Sequence, residues 1–190
     1  MSNLVFEVHN KNNFTPEEKE KFLKALEEAT KIINSPEFKQ RALNLKLEQA
    51  LGYNSLEIYQ KFMSGSDKFN TVSDKDIDVH ITMFYSFRNT VGYTYPTTWF
   101  TWINRKFFSR FNEAEIAGNV VHEYMHNLGF GHNSPRDKNS VPYAYGYLVR
   151  DMIREAKVNP QPQPTPVVTE PIKQVPSIWS RIAGFFSRWF

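Results

Sequence analysis

Cysteine is missing from all 190 positions, so a disulfide framework, a thiolate metal site and a cysteine nucleophile are excluded together. Long apolar runs are missing as well: no stretch approaches the roughly 20 residues that a membrane-spanning helix needs. The first residues, Met1-Ser2-Asn3-Leu4-Val5-Phe6-Glu7, lack the basic start and apolar centre of a secretory signal, and none is expected there; the compartment stays open. Nor is there a large excess of one charge. Lysine and arginine number 23 against 20 acidic residues, a net +3. Of this, +2 belongs to residues 159–190, where Lys173, Arg181 and Arg188 outnumber Glu170. The rest of the chain is nearly neutral, so no nucleic-acid partner is expected. What is present suits a folded protein: 41% hydrophobic and 23% charged residues, at a length fitting one domain plus an appendage.

Along the chain, Leu4 to Val8 predicts a short strand. Thr15-Pro16-Glu17-Glu18 is a helix start, with Thr15 as cap, Pro16 at the first helical position and Glu18 closing a capping box. Phe22, Leu23, Leu26, Ala29 and Ile32 continue it at helical spacing. Asn34-Ser35-Pro36-Glu37 opens a second short helix, residues 43–48 suggest a strand, and Ser55 is expected to cap a helix ending near Gly65. Ile77, Val79, Ile81 and Phe84 mark one further strand and Trp99 to Ile103 another. A long helix is predicted from Asn112 to Leu128, capped by Asn112 with Glu115 and stopped at Gly129. On its wheel, Asn119, His122, Glu123 and His126 share a polar face, and Asn127 alone falls among the apolar residues. A last helix is expected over Tyr145 to Ala156.

The run 122–132 reads His-Glu-Tyr-Met-His-Asn-Leu-Gly-Phe-Gly-His. His122 and His126 lie one helical turn apart, so both imidazoles can reach one ion. Gly129 permits a left-handed exit from the helix, after which the chain can turn back with His132 as third ligand. Three neutral imidazoles leave a fourth tetrahedral position open to water, as a catalytic zinc (Zn2+) site requires. Glu123, on the same side, suits a general base. An oxyanion donor is also needed, and Tyr143 and Tyr145 are both within range in sequence. With 8 glycines and 5 histidines in the chain, finding Gly129 and His132 at these offsets by chance has odds of roughly one in a thousand. His9 and His80 read as structural, and Trp99 and Trp102 as packing residues.

The pattern His122-Glu123-x-x-His126-x-x-Gly129-x-x-His132 resembles the metzincin clan of zinc metallopeptidases. That resemblance implies an α+β, zincin-like fold: a twisted mixed sheet, a long active-site helix and a cleft between two subdomains. It implies a zinc endopeptidase acting on peptides or proteins, and places residues 98–103 where such enzymes have the edge strand that pairs with substrate. The clan's turn methionine has no counterpart in Asn139-Ser140-Val141-Pro142-Tyr143-Ala144-Tyr145-Gly146; Val141 or Pro142 would stand in its place, and Met152 belongs to the last helix.

These features divide the chain into a catalytic domain over 1–158, a linker over 159–176 and a helix over 177–190. Six of the eleven prolines fall between 160 and 176, which makes the linker extended and semi-rigid. In 177–190, Ile178, Trp179, Ile182, Phe185, Phe186, Trp189 and Phe190 form one helical face and two arginines lie on the other, a pattern suited to a membrane surface or a protein partner. Two other readings remain: a zinc-containing peptide-binding module without catalysis, and a docking protein whose function resides in the tail.

Overall fold

Alternation along Asp76–Phe84 decides the architecture. Ile77, Val79, Ile81 and Met83 are buried while the residues between them are half-exposed, so this strand has one face on a core. The computed structural model describes residues 3–66, 74–94, 100–134 and 137–159. These contain β1 (Val5–Asn12), α1 (Pro16–Ile33), α2 (Pro36–Leu43), α3 (Ser55–Phe62), β2 (Asp76–Phe84), β3 (Gly92–Thr94), β4 (Phe100–Asn104), α4 (Arg105–Phe108), α5 (Glu113–Asn127) and α6 (Val141–Val158). The fold is α+β. Its mixed sheet runs β1-β2-β4-β3, with β1, β2 and β4 parallel and β3 antiparallel to β4 at the edge. The core joins Phe22, Ala25 and Ala29 of α1 to Val121 and Met125 of α5, Val149 and Ile153 of α6, and the inner face of β2. Up to Asn159 the chain forms one compact unit. The linker and the amphipathic segment expected after it lie outside the described residues.

Local chemistry sets most boundaries as expected. Thr15 with Glu18, and Asn112 with Glu115, form the two predicted capping boxes. Four expectations are corrected. Asn54, not Ser55, caps α3, because its Oδ1 accepts from Glu57 N at 3.0 Å while Glu57 accepts from Asn54 N at 2.8 Å. Residues 43–48 form no strand: α2 runs through Leu43, and the following stretch makes one isolated bridge, Glu48 to Ser140. The last helix begins at Val141 rather than Tyr145, since Pro142 falls in the first turn, where its missing N–H has no helical partner to lose. Finally, residues 100–103 are not an edge. β4 lies between β2 and the three-residue strand β3, which takes the edge; Thr98 and Trp99 are outside the described residues.

The outer face of the sheet carries aromatic rings. Tyr93 stacks on Trp102 at 5.2 Å and packs against Phe84 at 5.4 Å, so Trp102 is a packing residue on the face away from the helices. His9 stacks on His80 at 4.8 Å and hydrogen-bonds Asp78, a structural pairing.

Candidate metal centre

Two devices bring the histidines together. The first ends α5. Gly129 has φ +95°, a conformation costly for any residue with a Cβ. It lets Gly129 N–H donate to His126 O at 2.9 Å and Phe130 N–H to Met125 O at 3.1 Å, the paired bonds of a Schellman motif. Phe130 is buried as the motif's apolar anchor, and two residues on His132 returns toward the helix. The second device is a crossing of α5 and α6 at bare backbone. A Cβ on Gly118 would lie 2.6 Å from Gly146 O, and a Cβ on Gly146 would lie 2.6 Å from Gly118 O and 3.1 Å from the His122 Cβ. Only glycine at both positions allows so close an approach. It draws the first turn of α6, with Pro142 and Tyr143, against His122.

One ring nitrogen from each of His122, His126 and His132 lies within 4.8 Å of the other two. His122 Nε2 and His126 Nε2 are 3.2 Å apart. Two imidazoles on a tetrahedral zinc, with bonds of about 2.0–2.1 Å, place their nitrogens about 3.3 Å apart, so this pair already has the required separation. The protons agree. Phe130 O accepts from His126 Nδ1 at 2.8 Å, and Pro142 O is the backbone partner of His122. A carbonyl only accepts, so the His126 ring spends its proton on Phe130 O and turns its Nε2 lone pair toward His122. With one nitrogen of each of the three rings brought this close, the donor set fits zinc. Burial, together with the neighbouring His126 and His132, pushes the His122 imidazole down to about 3, so it is neutral and ready to ligate near pH 7.

No known protein family matches this chain, and no curated protein matches it. The site stands on its own geometry.

Glu123 follows His122 and is 5% exposed. Burial pushes its carboxyl up to about 7, with a hydrogen bond from Thr94 opposing that rise. Thr94 Oγ1 donates to Glu123 Oε2 at 2.8 Å and lies 2.9 Å from Thr101 Oγ1. Tyr143 packs its ring 4.4 Å from His122 and 4.8 Å from His132, and burial raises its phenol above the usual range, so it remains a donor at neutral pH. Tyr145 is separated from it: fully buried, it packs on Phe38 and Phe62 in the core. Of the two tyrosines, Tyr143 alone faces the histidines.

The three histidines, Glu123, Thr94 and Tyr143 line one cleft of about 1070 Å³. Its walls are Gly92, Tyr93 and Thr94 of the edge strand on one side, and Gly118, His122, Tyr143 and Tyr147 of α5 and α6 on the other. The structure brings together the three histidines and Glu123 that the sequence singled out, and adds Gly92, Thr94 and the Gly118–Gly146 crossing, which the sequence did not show. The paired glycines were visible as exceptions inside otherwise helical patterns; the three-residue strand was too short to show periodicity. Asn127, the odd residue of the wheel, is indeed buried, and borders a water-sized cavity of about 20 Å³ behind Glu123.

Proposed function

We propose that this chain is a zinc-dependent endopeptidase of metzincin-like type, with His122, His126 and His132 as ligands and Glu123 as general base. The observation carrying this reading is the convergence of three imidazoles beside a buried carboxyl group, on the wall of a cleft that an edge strand flanks. The antiparallel edge strand beside the histidine helix supports the clan resemblance. Val141 or Pro142, both buried in the first turn of α6, would stand where the clan has its turn methionine.

Zinc bound there supplies Lewis acidity, polarising a carbonyl and easing deprotonation of water. The residues supply the rest. The free edge of β3 can pair with an extended peptide laid along the cleft. Glu123, desolvated and held near neutral pKa, is matched to taking a proton from water and returning it to a leaving amine. The Tyr143 hydroxyl is a donor available to developing negative charge on the carbonyl oxygen.

The test pairs elemental analysis of the purified chain with hydrolysis of a mixed peptide library, with and without chelator, for wild type and Glu123→Gln. About one zinc per chain in both proteins, with chelator-sensitive cleavage only in wild type, supports the reading. Zinc without cleavage turns it into a peptide-binding module, and failure to take up zinc even on reconstitution refutes it.

A further inference from the structure

Glu123 is held by the edge strand itself. Among the described residues, Thr94 is the one side chain hydrogen-bonded to its carboxylate. A hydroxyl has a single proton to give. Thr94 gives it to Glu123 Oε2, so the 2.9 Å contact between the two threonine hydroxyls must be donated by Thr101. With Glu123 ionised, the order is fixed: Thr101 O–H to Thr94 Oγ1, and Thr94 O–H to Glu123 Oε2. Thr101 is 8% exposed on the interior strand β4, directly opposite Thr94 in the ladder, and the adjacent pair is locked by the stack of Tyr93 on Trp102. The anchor is therefore rigid where the carboxylate is not, since a glutamate has three rotatable bonds. The second oxygen, Oε1, lies toward Gly92, 3.6 Å from where a Cβ would stand, and Gly92 lines the cleft.

We propose that Thr94 is a positioning residue: with Thr101 behind it, it holds Oε2 of Glu123 and leaves Oε1 as the oxygen that takes up the proton. The general base is thereby tied to the strand beside which the substrate lies. Its kinetic consequence rests on the peptidase reading; the hydrogen bond itself does not.

The test uses the full zinc-loaded chain with Thr94→Val, which keeps shape and removes the hydroxyl, Thr94→Ser, which restores the hydroxyl, and Thr101→Val. The readout independent of activity is the 13C resonance of the Glu123 carboxyl in glutamate-labelled protein, assigned by its loss in Glu123→Gln. It should move in Thr94→Val and return in Thr94→Ser. For cleavage, Thr94→Val should lower kcat about tenfold with KM and zinc content unchanged, Thr94→Ser should recover most of it, and Thr101→Val should fall between. A resonance that Thr94→Val leaves in place overturns the proposal. So does a Thr94→Ser protein as slow as Thr94→Val, which would mean packing, or a change in KM alone, which would mean substrate pairing. If the resonance behaves as expected and wild type cleaves nothing, the positioning stands and the peptidase reading fails.

Discussion

Gly146→Ala tests whether the crossing of α5 and α6 builds the metal centre. Two effects oppose each other. In an open helix, alanine gains about 1 kcal/mol over glycine. Here the new methyl would sit 2.6 Å from Gly118 O and 3.1 Å from the His122 Cβ. Ordinary contact begins near 3.4 Å, so the helices must part by about 0.8 Å. The obstruction is backbone, which has no rotamer to yield, and overpacking of this kind costs about 1–3 kcal/mol. Strain wins, and the expected net loss is about 1 kcal/mol, a Tm lower by roughly 2–4 °C for a chain of this size. The same separation carries Pro142 O away from His122 and so loosens the support of a ligand, which lowers zinc affinity at least about tenfold. Thermal unfolding of the chelated protein reads the first number, and competition against a chromophoric chelator reads the second. Gly131→Ala, where nothing lies within 4 Å of the new methyl, should change neither stability nor affinity through packing. A Gly146→Ala protein that is more stable and binds zinc as tightly as wild type would refute the idea that backbone contact sets the site.

Gly129→Ala meets no obstructing atom but forces alanine to φ +95°; about 1–2 kcal/mol of stability should be lost, with weaker zinc binding by titration because His132 leaves that turn. Asn112→Ala removes the cap of the same helix, the 3.0 Å bond to Glu115 N, and should cost about 1 kcal/mol in denaturant with zinc affinity unchanged, since the cap is ten residues from the first ligand. In the chelated protein, pH separates Glu123 from His122. Between about pH 4.5 and 6.5 the folded chain holds a proton on Glu123 that the unfolded chain has released, whereas the unfolded chain holds one on His122 that the folded chain excludes. These contributions cancel in wild type. Glu123→Gln removes the first, so relative to wild type it should lose up to about 1.4 kcal/mol per unit as pH falls across this window. A stability difference between the two proteins that stays constant with pH would contradict the raised Glu123 carboxyl.

The helices were legible because their ends are written locally. Thr15 with Glu18 and Asn112 with Glu115 are pairs three residues apart, and each cap closes within its own turn. The start of α6 was misread for the same reason in reverse. Proline, two tyrosines and a glycine over 142–146 look like a turn when only neighbours are weighed, yet Pro142 is harmless in a first turn and Gly146 is demanded by Gly118, 28 positions earlier. The 43–48 strand failed because apolar alternation needs a partner strand, and among the described residues the chain there makes one isolated bridge, Glu48 to Ser140.

The candidate site divides along the same line. His122, His126, Gly129 and His132 encode their arrangement in eleven residues, because helical pitch and one left-handed turn suffice to converge three rings. What governs the base is not local. Thr94 and Thr101 reach Glu123 across separations of 29 and 22 positions, through a strand of three residues that no periodicity announces. Neither threonine belongs to a recognisable pattern; each acquires its role only when β4 enters the sheet between β2 and β3 and turns both hydroxyls toward α5. A cluster of histidines can therefore be read from sequence while the groups that hold the neighbouring carboxyl of Glu123 stay invisible until the sheet is built. Substitutions at Thr94 and Thr101 should for that reason separate two quantities that the motif alone cannot, affinity for zinc and use of it.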